Sequence, residues 1–367
     1  MQRVVNCGSF LQAYGLKRII ESLGHQVVFI DYRIEKPICN KREDYQEYKK
    51  YCVKNLILDT VSNCPILFRL LPEEVRFSTV DRNKYKNEYS LQLGLSKKKN
   101  YNTIVDTVVI GSDEVFNCLQ LNPEVGFSPE LFGKNSNTSR LITYAASFGN
   151  TTLDAIISSG KASEIQGYLK RMDAISVRDD NSSYIVEKLT SLRPKHHLDP
   201  VLIYEFGQDI SDIELSQDFI IVYAYRRRIR DDEANAIMKF AKQEKLKIIS
   251  IGGYQPFCDE NVNLSPFEVL GYFKKARYVF TDTFHGVIFS VISHKQFVVF
   301  VREGHGKIYG NAEKINGLLS DLGLTNRAVH SNDQITNTMK EEIDYCAVDT
   351  IIREERKKTI TYLRENL

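Results

Sequence analysis

Short apolar runs of strand length alternate with segments of helical period along most of this chain, which restricts it to open sheets joined by crossover helices. Leu16, Ile19, Ile20 and Leu23 recur at helical spacing, Gly24 stands where a helix end favours glycine, and Val27 to Ile30 reads as a buried strand. Comparable runs at Thr107 to Ile110, Leu141 to Ala145 and Ala174 to Val177 each precede polar or glycine-containing loops, the pattern of a parallel sheet. From about 37 to 100 the rhythm breaks. Lys, Tyr and Glu dominate there, with helical patches such as Val53 to Leu58, and the stretch reads as an inserted helical excursion.

Beyond Pro200 the text changes. Glu205 to Asp218 is acidic, carries Gly and Ser, and has the weak periodicity of a linker. Strands are expected at Phe219 to Tyr225, Lys247 to Ile251, Tyr278 to Thr281 and Phe297 to Val301. Between them, Ala234, Ile237, Met238 and Ala241 form one helix face behind Asp231 and Asp232 as N-cap candidates. Ser265-Pro266-Phe267-Glu268 is a capping box with proline at the first helical position, and a helix through Ile315, Leu318, Leu319 and Leu322 closes at Gly323. A chain of 367 residues exceeds one ordinary core. The expectation is therefore an α/β protein of two doubly wound, Rossmann-like domains, 1–204 and 205–367, facing each other across a cleft.

Composition removes several classes. Hydrophobic residues at 43% and charged residues at 26% describe a globular chain. Forty-nine basic against 47 acidic residues leave a formal charge of +2, so no nucleic-acid partner is expected and any anion site must be local. Seven scattered cysteines without CxxC spacing fit reduced thiols in a cytoplasmic protein. No apolar run approaches the roughly 20 residues that span a bilayer. The opening Met-Gln-Arg-Val-Val-Asn lacks a signal-peptide pattern and leaves little room for a first strand, which raises the expectation of a different natural start. There is no HExxH, and the adjacent His196 and His197 point to opposite faces, so no metal is expected. Absence of GxGxxG, GxxxxGK[ST] and GxSxG removes the usual anchors of nicotinamide, P-loop and serine-hydrolase chemistry.

Ligands of open α/β sheets gather beyond the carboxyl ends of the strands. Thr281-Asp282-Thr283-Phe284-His285-Gly286 places a histidine at such an end, at the start of a helix, beside a backbone-permissive glycine. There an imidazole can donate a proton while free helix amides bind an anion; alternatively it satisfies the helix end.

The resemblance that follows rests on ordered pieces. Asn6-x-Gly8-x-x-Leu11-Gln12-Ala13-Tyr14, Ile30-Asp31-Tyr32, Gly111-Ser112-Asp113-Glu114-Val115-Phe116-Asn117, Tyr144-Ala145-Ala146-Ser147-Phe148-Gly149, Ser176-Val177-Arg178, Leu198-Asp199-Pro200 and Thr281 to Gly286 occur in that sequence. In their order and spacing the chain resembles the polysaccharide pyruvyl transferases. The resemblance implies a GT-B-like fold, phosphoenolpyruvate as donor, no further cofactor and a glycan acceptor, one that is lipid-linked in many such pathways. Peripheral contact with the inner membrane face would follow.

Around this frame the candidates divide by chemistry. Asp113, with Ser112 beside it, can orient a sugar hydroxyl or act as a base, or it caps a turn. Asn6, Gly8 and Gln12 open the first helix, where they hold acceptor hydroxyls or serve as caps. Arg178 can grip a carboxylate or phosphate with its fork, or pair with Asp179 and Asp180. Where the family pattern has an arginine two positions before the histidine, this chain has Thr283. Arg226, Arg227 and Arg228, directly before a helix start, are the expected replacement, and the alternative is a solvated turn screened by Asp231 and Asp232. Thr283 and Gly286 join them as donor contacts. Gly252-Gly253 permits close backbone approach, and Arg302, Lys307 and Lys314 either add positive charge or lie on the surface.

The chemistry implied is protonation of the enolpyruvyl CH2 carbon by His285, attack by one sugar hydroxyl, loss of phosphate and closure by a second hydroxyl. A helix N-terminus disfavours a charged imidazole and a bound dianion favours it, so donor binding would arm the acid. Two other readings stay open: a GT-B glycosyltransferase using a nucleotide sugar, and an inactive glycan-binding relative.

Overall fold

The computed structural model describes residues 2–38, 42–62, 64–215, 217–302 and 311–367, without the side chains of 59 and 62. Lys307 and Cys39 lie outside the described residues.

Helix α1 (Cys7–Ser22) buries Phe10, Leu11, Leu16, Ile19 and Ile20 along one face and ends at Leu23, with Gly24 at φ +95° just beyond. Val27 to Ile30 corrects the sequence reading, because it forms no strand. This segment runs beside Asn100 instead, whose side-chain nitrogen donates to Phe29 O at 3.1 Å and whose carbonyl accepts from Asp31 N at 2.6 Å. Val28, nearly half exposed, has no second layer to cover it. The excursion is helical: α2 (Arg42–Ser62), α3 (Pro65–Leu70), α4 (Glu73–Lys84), a π turn at Tyr85–Tyr89 and α5 (Ser90–Gln92).

The first sheet is four-stranded and parallel, in the order β1 (Thr107–Asp113), β2 (Arg140–Ala146), β3 (Ser176–Val177), β4 (Lys195–His196). Its crossovers are α6 (Leu153–Ser158) with α7 (Ala162–Leu169), then α8 (Asp180–Thr190), and the short α9 (Pro200–Ile203) follows β4. Packed aromatic rings fill the core, with Phe116 at 4.5 Å from Phe132 and 5.1 Å from Phe148. Strand β1 continues through Gly111, Ser112 and Asp113, which were read as a loop. Gly111 permits this: at φ +138°, a Cβ there would lie 1.9 Å from Tyr144 O.

The second sheet contains β5 (Phe219–Tyr223), β6 (Lys247–Ile251), β7 (Glu260–Val262), β8 (Tyr278–Thr281), β9 (Gln296–Phe300) and β10 (Ala328–Val329). All pairs are parallel, in the order β10-β9-β8-β5-β6-β7. Around it lie α10 (Asp231–Glu244), α11 (Pro266–Lys275), α12 (Phe284–Ile292), α13 (Ala312–Asp321) and α14 (Ile335–Lys340), and α15 (Tyr345–Asn366) ends the chain. Continuous apolar runs suit strands covered on both faces, and every residue of β5 is buried. The capping box of α11 forms as read, with Ser265 N donating to Glu268 at 2.7 Å. For α10 the cap is Arg230, not Asp231 or Asp232, because Glu233 reaches back to Arg230 N at 3.0 Å.

Two compact units result, Met1–Arg69 with Lys86–Tyr204 and Glu354–Leu367, and Leu70–Tyr85 with Glu205–Arg353. Two segments depart from simple halves. Residues 70–85 join the second unit, where Phe77 O accepts from Asn263 at 3.1 Å. Residues 354–367 close the first: Tyr362 donates to Thr143 O at 2.8 Å and Arg356 to Ile203 O at 2.7 Å. The six described cysteines are free thiols. Among the described residues no cluster of side chains has metal-ligand geometry, and no helix is long and apolar enough to cross a membrane.

Candidate active site

In the first unit, the carboxyl ends of β1 and β3 and the start of α1 bring two carboxylates onto one guanidinium. Arg178 lies 3.5 Å from Asp113 Oδ1 and 3.2 Å from Asp199 Oδ2. Asp113 also accepts from Ser9 Oγ at 2.7 Å and from Glu114 N at 2.9 Å. Asp199 accepts from the Gln12 side chain and caps α9 through Val201 N at 3.0 Å. Burial opposes the Arg178 charge, but Asp113 and Asp199 outweigh it and hold its pKa above the ordinary arginine value. Asp113 itself sits at φ +83°, a left-handed conformation that costs a non-glycine residue on the order of 1 kcal/mol or more.

This arrangement revises several expectations. Arg178 is only 5% exposed and engaged by Asp113 and Asp199, so it is not open to grip a donor. Its close ion pairs are with Asp113 and Asp199, whereas Asp179 contributes only its charge and caps α8 by accepting from Ser182 N at 2.7 Å. Asn6 is the cap of α1, accepting from Ser9 N at 3.1 Å, and Gly8 is buried in the first turn. Gln12 Oε1 and Ser112 Oγ are buried without a hydrogen-bond partner, a hydroxyl and a carbonyl left over for something else. Sequence reasoning assigned no role to Ser9 or Asp199. The Asp199-Pro200 pair, an N-cap before proline at the first helical position, was the available signal.

In the second unit the strand-to-helix junction is built by hydroxyls. Thr281 Oγ1 donates to Tyr223 O at 2.7 Å and accepts from Thr283 N at 3.0 Å, and Thr283 Oγ1 accepts from Gly286 N at 2.9 Å. Thr283 is thus the cap of α12, and Gly286 is required because a Cβ there would meet Thr281 Oγ1 at 2.0 Å. His285 stands in the first turn, its ring 5.4 Å from that of Phe284 and 5.9 Å from that of Phe289.

Beside it in sequence, the wholly buried Asp282 has Arg228 Nε 2.8 Å from its Oδ2. Burial pushes the Asp282 carboxyl up, against the pull of Arg228 and Arg302. Arg302, read as a surface residue or a loose cleft charge, forks onto buried Glu233 with NH2 at 2.6 Å from Oε2, and it donates to Arg228 O at 3.0 Å. Burial alone would lower the Arg302 pKa; the Glu233 hydrogen bonds and charge raise it instead. Of the arginine run, Arg226 and Arg227 turn to Glu74, at 3.7 Å and 2.7 Å, and Arg228 turns to the histidine loop. Gly253 approaches the protein's own backbone, since a Cβ there would lie 2.5 Å from Ala224 O and from Arg226 N. Lys314 falls on α13. His196 is exposed, while His197 is buried between Tyr144 and Tyr362, and that burial pushes it down to about 4.

The two clusters differ in charge. One guanidinium faces two carboxylates in the first, whereas Arg226, Arg227, Arg228 and Arg302 face Glu74, Glu233 and Asp282 in the second. An electronegative cluster suits neutral hydroxyls, and an electropositive one suits an anion.

Comparison with known proteins bears on the family. Among solved structures, a Thermobaculum terrenum O-GlcNAc transferase mutant is similar at 11% identity over 71% of this chain, with a TM-score of 0.37. The chain spans about half of that protein, 52%. UDP-GlcNAc 2-epimerase from Neisseria meningitidis bound to UDP-GlcNAc is similar at 10% identity over 95% of this chain and 96% of its own, with a TM-score of 0.40. The S. aureus MnaA-UDP co-structure matches at 11% identity over 74% and 86%, with a TM-score of 0.39. No curated protein matches the chain. The profile of the family described as polysaccharide pyruvyl transferase matches residues 6–304, most of the chain. This chain, an α/β transferase of two parallel sheets, belongs to the polysaccharide pyruvyl transferase family.

Proposed function

We propose that the protein moves the enolpyruvyl unit of phosphoenolpyruvate onto two hydroxyls of a glycan, closing a ketal and releasing phosphate. The observation that carries this reading is His285 in the first turn of α12, behind a hydroxyl-capped strand end flanked by surplus arginine. His285, charged, gives its proton to the CH2 carbon of the donor, and the positive centre that develops at the neighbouring carbon is attacked by a sugar hydroxyl. The attacking hydroxyl gives its proton to the departing phosphate, which leaves with the bonding pair of its C–O bond, and the second hydroxyl closes the ring on the same carbon as its proton returns to the neutral His285. General acid catalysis of this kind is worth about 10²–10⁴-fold. In the second unit Arg228 is the donor-side cation, poised to exchange its Asp282 partner for the donor's anionic groups. In the first unit, Asp113 takes the acceptor hydroxyl, with the unspent Ser112 Oγ and Gln12 Oε1 as further contacts, and Arg178 holds the two carboxylates in place.

His285→Gln tests the reading. Folding and donor-induced thermal shift should persist while acceptor-dependent phosphate release falls at least about 10²-fold. In heavy water the new methyl group should carry solvent deuterium. Near-native turnover in the variant, or a methyl without deuterium, would end this mechanism, and a melting temperature raised by a nucleotide sugar but not by phosphoenolpyruvate would replace the donor.

The acceptor is proposed to hang from a lipid. Val53, Leu56 and Ile57 on α2 and Ile66 on α3 are exposed apolar side chains, and Lys49, Lys50 and Lys54 are interleaved with them, a composition suited to an anionic bilayer surface. Leu56→Asn with Ile57→Asn should cut co-sedimentation with phosphatidylglycerol vesicles severalfold and leave turnover on a water-soluble acceptor unchanged.

A further inference from the structure

At the amino-terminal edge of the second sheet lies a pocket of about 500 Å³, at the opposite end of β8 from the histidine loop. Ligands of such sheets normally sit at the carboxyl edge, so this concavity is unrelated to the reaction proposed above. Asp218 before β5, Ala276 to Tyr278 at the start of β8 and His294 to Gln296 at the start of β9 line it, together with residues from the end of α14. Four of its lining side chains are cations, Lys275, Arg277, Lys295 and Lys340, against the carboxylates Asp218 and Glu342.

Two of those cations have an ordinary explanation. Lys275 and Lys340 end α11 and α14, where positive charge complements the helix dipole, and Lys275 also stands 3.9 Å from Asp212. Arg277, which is exposed, and Lys295, which is half-buried, stand at no helix end. Both precede strands, and neither makes an ion pair among the described residues. Arg277 has its guanidinium 5.9 Å from the Tyr278 ring centre. Lys295 is half-buried with its backbone pinned on both sides, its N donating to Ser290 O at 2.9 Å and its O accepting from Tyr345 Oη at 2.5 Å. Burial, and after it the repulsion of Arg277, pushes the Lys295 ammonium down. The neighbouring His294 is occupied, with Nε2 3.0 Å from Asp349 and its ring stacked on Tyr345.

A half-buried ammonium and an exposed guanidinium that line one pocket, neither of them ion-paired among the described residues, are stabilised by an anion of more than one charge. We propose that this pocket binds the phosphoryl group of a soluble phosphorylated molecule, with Arg277 supplying a fork and Lys295 a point charge. The volume exceeds that of a bare phosphate and leaves space for the group it is attached to.

The test is calorimetric titration of the full chain with pyrophosphate as probe, at low salt. The wild type should bind it, and Arg277→Gln with Lys295→Gln should weaken that binding at least about tenfold. The same double variant should keep its phosphoenolpyruvate-induced thermal shift and its turnover, which separates failure here from failure of the catalytic reading. Should the double variant not fold, Lys340→Gln at an exposed helix end is the substitute, with a severalfold loss expected. No pyrophosphate binding by the wild type, or equal binding by the folded variants, overturns the proposal.

Discussion

The carboxyl edges of the two sheets are built on opposite plans. In the first unit a charge network fixes the edge: Arg178 spans Asp113 and Asp199, and Ser9 and Gln12 of α1 tie down the same carboxylates. In the second unit neutral hydroxyls set the backbone, Thr281 and Thr283 bonding strand to helix, and the charges stand around that frame in pairs. The contrast matters for ligands. A network in which each charged group has several partners resists rearrangement and presents fixed oxygens, whereas an arginine paired singly with a raised carboxyl can change partner when an anion arrives.

Substitutions can break this comparison. The largest effect is expected from Arg178→Met, which leaves buried Asp199 and partly buried Asp113 without their cation and should cost about 3–5 kcal/mol in denaturant unfolding. A loss under about 1 kcal/mol would mean that hydrogen bonds, and not charge, hold the first edge. Gly286→Ala comes next, at about 1–3 kcal/mol, because its methyl collides with a buried threonine oxygen already committed to Tyr223. If the alanine variant melts like wild type, the hydroxyl frame is looser than described. Arg227→Ala should be smallest, within about 0.5 kcal/mol, since the Arg227 side chain is 73% exposed and its contact with Glu74 is screened by solvent. A loss of donor affinity in that variant would instead place Arg227 at the anion.

Much of this was legible in the sequence where the signal is local. Strands β5, β6, β8 and β9 stand almost where their apolar runs predicted, and the Ser265 cap follows from short-range hydrogen bonding, whereas Thr283, expected as a donor contact, proves to be the cap of α12. What stayed hidden depends on residues far apart in the chain. Val27 to Ile30 has the composition of a strand but lies against Asn100, with no ladder to join. β7 and β10, three and two residues long, are too short to show a period. Asp199 and Glu233 look like ordinary caps or helix-start acids until Arg178, 21 residues away, and Arg302, 69 residues away, fold onto them. Local pattern therefore located the histidine loop but assigned the arginines the wrong partners.

Helix α15 carries a consequence for synthesis. The core that begins with α1 is finished by residues 354–367, where Tyr362 and Leu363 are buried and Thr359 meets Tyr144 Oη at 3.1 Å. A ribosome must translate roughly 150 residues between Tyr204 and Glu354 before those side chains exist, a delay of about 8–30 s at ordinary elongation rates. Throughout that interval the nascent first unit exposes the apolar seat of its missing helix, so the second unit, whose last segment ends at Arg353, is the one able to complete its fold first.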